Sequence, residues 1–301
     1  MKKLFGVTVP IVTPLTGDQK IDHASLERLC VYLIEKGING IYPCGTTGEV
    51  AFLSKDERKE ILETVLKTTG GKLNVFSMVG ANSVNETIEL LRHAEKAGAD
   101  GAGIVTPYYH RLDDTELANY FIQVAGTASP DFPIYLYGIP QLAVNDITPA
   151  LAEKIIKHVP NVIGIKYSFP NMPRIIDFMN VNDGKFSVIT GPDELFLATV
   201  SSGGDGVISG NANVIPEYMT AIWDAYNKKD FEKARKLQQK ANRLISVLSS
   251  SNNIARYKAA LVYRGIIKSD AMRLPFRSLA EDEKGFLKTI EEMDFKNPNT
   301  L

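Results

Sequence analysis

The segment GIKYS, residues 164–168, ends an apolar run on a lysine. Val162, Ile163 and Ile165 surround the approach to Lys166, so the segment reads as the end of a buried strand. An ammonium there needs a partner, or it gives up its charge. A free amine in such a place attacks a carbonyl, and the resulting Schiff base acts as an electron sink. The alternative is a lysine that reaches solvent or pairs with a carboxylate. Tyr137 closes a second apolar run, IYLYGIP (134–140), on the same strand face as Tyr135. Its hydroxyl is either a proton shuttle beside an amine or the hydrogen-bonded tip of a core aromatic. The third candidate is GTTGE (45–49). Two glycines bracket two threonines, so the turn can expose successive backbone N–H groups with hydroxyls beside them. That suits a carboxylate or a phosphate; the plainer reading is a glycine-rich loop with capping threonines.

These residues need elements to hold them. Strand-like and helix-like segments alternate up to about residue 226. The strands read as FGVTVPIV (5–12), GIYPC (40–44), NVFSMVG (74–80), GAGIVTP (101–107), IYLYGIP (134–140), VIGIKYS (162–168), FSVITG (186–191) and GVISG (206–210). They are short and nearly continuous in apolar character, as parallel strands buried on both faces are. Between them lie helix signals. Ser54 with Glu57 forms a capping box before Ile61, Leu62, Val65 and Leu66, and Gly70-Gly71 follow. Ser83 with Glu86 repeats the device and Gly98 closes that helix; Thr148-Pro149 is an N-cap with proline at the first helical position. KGINGIY, AGADGAGIV and SGGDGVIS echo one another, each turning a helix into a strand through close glycines. The pattern predicts an α/β fold, a (β/α)8 TIM barrel over residues 1–226. Residues 227–301 read as a C-terminal helical extension packed on the barrel. A doubly wound sheet would usually carry a glycine-rich nucleotide loop after its first strand, and VTVPIVTPLTG has none. In a barrel, chemistry belongs at the carboxyl ends of the strands, where GTTGE, Tyr137 and Lys166 all fall.

The bulk numbers narrow the function classes. The 301 residues are 44 % hydrophobic and 23 % charged, with a formal net charge of -1. Without a long basic run, nucleic acid is not expected as a partner. Neither a signal peptide nor a membrane-length apolar run is read, so a cytoplasmic protein is expected. Cys30 and Cys44 read as two buried thiols in a reducing compartment. His23, His93, His110 and His158 lack metal-ligand spacing; the first, second and fourth belong to helical patterns, and His110 follows the fourth strand.

GTTGE, TPYY (106–109), YGIP, GIK and GVIS occur in this order and spacing. Together they resemble the pyruvate-dependent class I aldolases of the dihydrodipicolinate synthase / N-acetylneuraminate lyase family, across nearly the whole chain. The resemblance implies a (β/α)8 barrel, a homotetramer built as a dimer of dimers, and no metal or organic cofactor beyond the covalent imine. It implies that Lys166 forms the Schiff base with pyruvate or another 2-oxo acid. Tyr137 would be the proton shuttle and Thr46 its relay. Thr47, with the N–H groups of Thr46 and Thr47, would hold the carboxylate. Tyr109 would be the tyrosine placed near a neighbouring subunit's site, and Ile208 would line the pocket beside the imine.

Features of this chain bear on the second substrate. The synthases of the family carry Tyr-Asn-x-Pro-x-Arg after strand five, and the arginine handles the carboxylate of aspartate semialdehyde. Here the stretch is YGIPQL, which puts Leu142 at that position. A leucine makes no bidentate carboxylate contact; Arg111 or another residue would have to substitute. KYS looks more like the sialic acid lyases, and GPDE (191–194) resembles their Gly-aromatic-Asp-Glu, in which Asp193 and Glu194 would accept sugar hydroxyls. The other reading of Asp193 and Glu194 is an acidic N-cap and first helical turn. Against the lyases, Thr46 stands where they have serine, and GNAN (210–213) lacks their Ser-Thr pair. TPYYHRL is similar to the 2-keto-3-deoxy sugar acid aldolases. The expected function is an enzyme, a lyase joining pyruvate to an aldehyde or cleaving a 2-oxo acid to pyruvate. The alternatives are the dihydrodipicolinate synthase reaction on aspartate semialdehyde, a 2-keto acid dehydratase or decarboxylase using the same imine, and a non-catalytic 2-oxo acid binding protein on the same barrel.

Overall fold

In the computed structural model, residues 1–249 and 253–298 are described. Eight strands run in chain order around a closed barrel. They are β1 (Gly6–Val9), β2 (Gly40–Ile41), β3 (Asn74–Met78), β4 (Gly101–Val105), β5 (Ile134–Gly138), β6 (Val162–Tyr167), β7 (Ser187–Thr190) and β8 (Gly206–Ile208). Every strand read from the sequence is present, and each is shorter than its apolar run. Pro10, Pro43 and Pro107 lie in those runs and bring no N–H to a ladder. Cys44 adds a left-handed backbone (φ 59) just after β2.

The helix signals are realised with one difference. Ser54 and Glu57 form a complete capping box on the helix Lys55–Thr69, and Gly70 closes it with φ 53. Thr148 caps Pro149–Ile156 through the N–H of Leu151. Ser83 accepts from the N–H of Glu86 and Gly98 ends that helix, but the reciprocal Glu86 bond that would complete a box is not made. After β8 the described residues hold no further strand, and the α-helices there are Pro216–Asn227, Phe231–Leu248, Asn253–Tyr263 and Phe286–Glu292. No described helix is long and apolar enough to cross a membrane.

The chain resolves into two compact units. The first comprises residues 1–5 and 74–208 and holds β3 to β8. Its strands pair in parallel register, Val105 with Tyr137, Tyr137 with Lys166, and Lys166 with Ile189. One layer below, Tyr135 donates to Ser187 Oγ at 2.8 Å and accepts the Leu4 N–H at 3.0 Å. Its ring lies over Gly164, where a Cβ would come within 2.5 Å of it. The glycine of GIK is therefore required by the tyrosine beside it.

The second unit comprises residues 6–73 and 209–301, holding β1, β2 and the C-terminal helices. Thr8 and Val9 pair with Gly40 and Ile41, and the N–H of Ser209 donates to Thr8 O at 2.9 Å. Asn213 stitches the unit: its amide donates to the Pro10 and Gly210 carbonyls, and its oxygen accepts the Val12 N–H. Cys30 and Cys44 are both buried here as free thiols. Burial pushes them up to about 12 and about 11 respectively.

Candidate active site

In the first unit the geometry centres on β5 and β6. Lys166 is 3 % exposed and Tyr137 is 2 % exposed. Register pairing puts both side chains on one face of the sheet. The ammonium nitrogen stands over the Tyr137 ring, 3.9 Å from its centroid. That distance is well inside cation–π range. Ile189 faces Gly206 across β7 and β8, and alternation along β8 brings Ile208 to the face that carries Lys166. Ile208 is buried, as a pocket-lining residue at a strand end should be. The structure thus brings together Lys166 and Tyr137, and puts Ile208 on their face.

The other expected residues of this unit differ in exposure. Tyr109 is 81 % exposed, adopts φ 81, and packs edge-on against His110 with ring centroids 5.0 Å apart. A bulky residue with positive φ is strained and persists only where its surroundings enforce it. Here Asn145 does so. Its amide donates to the Pro107 and His110 carbonyls at 2.8 Å each, and its oxygen accepts the Leu112 N–H at 2.9 Å. Asp193 is buried, whereas Glu194 is exposed. They begin a 3-10 turn whose N-cap is Pro192, and no side chain caps it. Neither residue is therefore an N-cap; both sit in the first turn. Leu142 lies 61 % exposed in the short helix Pro140–Ala143.

In the second unit, GTTGE forms a 3-10 turn over Thr46–Gly48. Its internal bonds run from the Gly48 N–H to Gly45 O and from the Glu49 N–H to Thr46 O, both at 3.0 Å. The internal ladder therefore begins at Gly48, after the two threonine amides, as helix N-termini require. Thr13 Oγ1 donates to the Gly48 carbonyl at 2.8 Å. A Cβ on Gly48 would come within 3.2 Å of the Ile11 carbonyl, so the turn packs there against bare backbone. A Cβ on Gly210 would lie 3.5 Å from Thr47 Oγ1 and 3.3 Å from the Tyr257 ring. Two further residues hold the turn, Glu49 and Lys258, both fully buried and ion-paired. Sequence reasoning singled out neither of these, nor Asn145. The one available signal was Glu49 inside GTTGE, a carboxylate in a turn otherwise suited to receiving one.

The sequence matches the profile of the Dihydrodipicolinate synthetase family over residues 3–293. The chain belongs to that family. A 4-hydroxy-tetrahydrodipicolinate synthase of Methanosphaerula palustris is 33 % identical over 288 residues, covering 95 % of this chain and 97 % of that one. Among solved structures, YagE of E. coli K12, a prophage protein of the dihydrodipicolinic acid synthase family in complex with pyruvate, superposes with a TM-score of 0.92 at 30 % identity. It covers 97 % of this chain and 99 % of that one. A catalytic lysine mutant of the Ruminococcus gnavus sialic acid aldolase superposes with a TM-score of 0.91 at 30 % identity, covering 97 % of each chain. The dihydrodipicolinate synthetase family is one of lyases of the class I aldolase type, so the expected family and fold are both found.

Proposed function

We propose that the chain is a Schiff-base-forming lyase that condenses pyruvate with an aldehyde or runs the reverse cleavage. The observation that carries this is Lys166 Nζ set 3.9 Å over the Tyr137 ring at paired strand ends. In this reading the Lys166 amine attacks C2 of the 2-oxo acid. The carbinolamine loses water to give an imine, with the Tyr137 hydroxyl moving the proton. Loss of a C3 proton gives an enamine, which adds to the aldehyde carbonyl; hydrolysis of the new imine frees the product and the lysine. The protonated imine is itself the electron sink, so the reading needs neither metal nor organic cofactor. The GTTGE turn would hold the 2-oxo acid's carboxylate through Thr47 and the N–H groups of Thr46 and Thr47, with Thr46 relaying protons to Tyr137. Fixing that carboxylate fixes the reacting carbon relative to the amine. The pyruvate complex of YagE and the catalytic lysine named for the sialic acid aldolase relative support the same assignment. Asp193 and Glu194 would receive the aldehyde's hydroxyls and Ile208 would line the imine. A homotetramer in the cytoplasm, with Tyr109 reaching toward a neighbouring site, completes the proposal.

Borohydride reduction in the presence of pyruvate tests it, read by intact mass and peptide mapping. The expected result is one reduced pyruvyl adduct at Lys166. No adduct there would sink the proposal.

The synthase reaction on aspartate semialdehyde is the second reading, favoured by the Methanosphaerula palustris relative. Exposed Leu142 in place of a carboxylate-binding arginine weighs against it. Coupled assays with aspartate semialdehyde, N-acetylmannosamine and glyceraldehyde separate the two. Aspartate semialdehyde is expected to be the poorest acceptor, and robust turnover of it would favour the synthase.

A further inference from the structure

Glu49 ends the GTTGE turn with a left-handed backbone (φ 62) and is 2 % exposed. Burying a carboxylate this deeply is costly unless partners compensate it. All of its observed partners come from the C-terminal part of the same unit. Lys258, on the helix Asn253–Tyr263, pairs with Oε1, and both side chains are fully buried. Burial pushes the Lys258 ammonium below its ordinary range, and the Glu49 charge opposes that shift. The same ammonium donates to the Ala271 carbonyl at 2.7 Å. Glu49 Oε2 accepts the Arg273 N–H at 2.7 Å. The Arg273 guanidinium donates to Glu57 at 2.6 Å, and Glu57 caps the helix that follows the turn. Gln19 donates to the Met272 carbonyl and accepts the Leu274 N–H. Phe276 packs edge-on against Phe52 at 4.9 Å. Tyr257, next to Lys258, abuts Gly210 on the side where Thr47 stands.

We infer that the Glu49–Lys258 pair is a positioning device for the carboxylate-binding turn, and that residues 257–276 set the height and tilt of Thr46 and Thr47. The inference rests on the functional reading above. Neither residue touches substrate; both act through the turn. Glu49 is a non-glycine residue in a left-handed conformation, which persists only where its surroundings over-determine it. Two charge-assisted contacts on one carboxylate supply that constraint. Helical residues far along the chain thereby decide how tightly the 2-oxo acid is held, while the amine that reacts with it belongs to a strand ladder.

The test is the pyruvate concentration that half-saturates borohydride trapping at Lys166. It is measured for the wild type, Glu49→Gln, Lys258→Met and the double variant. Half-saturation is expected to rise about tenfold in Lys258→Met and several-fold in Glu49→Gln, with the saturated trapping rate within about threefold, because a misplaced turn weakens binding before it slows chemistry. The double variant should fall back toward the wild type, since no uncompensated buried charge remains. If Lys258→Met does not fold, Glu49→Gln decides, because it keeps shape and loses only charge. A lower melting temperature with unchanged half-saturation in the folded single variants overturns the inference. Absence of an adduct in the wild type overturns the functional reading instead.

Discussion

Around Lys166 the chain is held by ladders. Tyr137, Lys166 and Ile189 are successive register partners in β5, β6 and β7, and backbone hydrogen bonds between adjacent strands fix all three. Around Thr47 it is held by groups from a distant part of the sequence, as in the bond from the Arg273 backbone N–H to the Glu49 carboxylate, residues 224 positions apart. The first arrangement repeats from strand to strand through backbone pairing. The second depends on one buried ion pair and a few hydrogen bonds. The difference suits the division of labour proposed above, with covalent chemistry on the strand ends and substrate grip on the braced turn.

Removing the amine breaks the strand side of that comparison most severely. Lys166→Ala should lower kcat/KM by at least about ten-thousand-fold if its amine forms the proposed imine. The borohydride adduct should vanish with it. A residual adduct, mapped to another lysine, would move the nucleophile elsewhere. The fold should survive, because the β6 ladder uses only backbone.

Tyr137→Phe keeps the ring under the Lys166 nitrogen and removes the hydroxyl. If the hydroxyl moves protons, kcat should drop about a hundredfold or more with little change in KM for pyruvate. Steady-state kinetics decide between this and a packing role, in which both constants would stay near wild type. Thr47→Val is the matching change on the turn. It removes one hydroxyl from the proposed carboxylate cradle, so KM for pyruvate should rise about tenfold while kcat falls less. An effect confined to kcat would erase the division between the two regions.

These two regions were not equally legible in the sequence. The eight strands were visible because a strand buried on both faces writes a continuous apolar run. Their ends were overrun where Pro10, Pro43 and Pro107 cut the ladders short. Lys166 and Tyr137 stood out as polar groups closing apolar runs. Lys258 did not, because a lysine within IARYKAALVY reads like any charge on the solvent side of an amphipathic helix. Its burial follows from a partner that periodicity cannot identify. Asn145 was hidden for the same reason, since its role is to satisfy carbonyls of another loop. Asp193 and Glu194 looked equivalent as neighbours, yet only the first is buried.

The smallest expected effect probes the outer part of the brace. Burial raises the Glu57 carboxyl, but the Ser54 N–H and the Arg273 guanidinium outweigh it and leave Glu57 below its ordinary 4.5. A carboxylate with a depressed folded-state pKa adds stability that is present above 4.5 and lost as pH falls through the folded value. Arg273→Ala removes one cause of the depression and keeps the Arg273 N–H that serves Glu49. The variant should be less stable near neutral pH by about 0.5–1 kcal/mol, a figure discounted for the solvent that screens this half-open pair. At an acid pH below 4.5 the gap should narrow, because protonation then begins to remove the contribution from the wild type as well. Urea midpoints at the two pH values measure it. A gap that stays constant would assign the loss to Arg273 packing, and would leave the Glu49–Lys258 pair as the part of the brace that depends on charge.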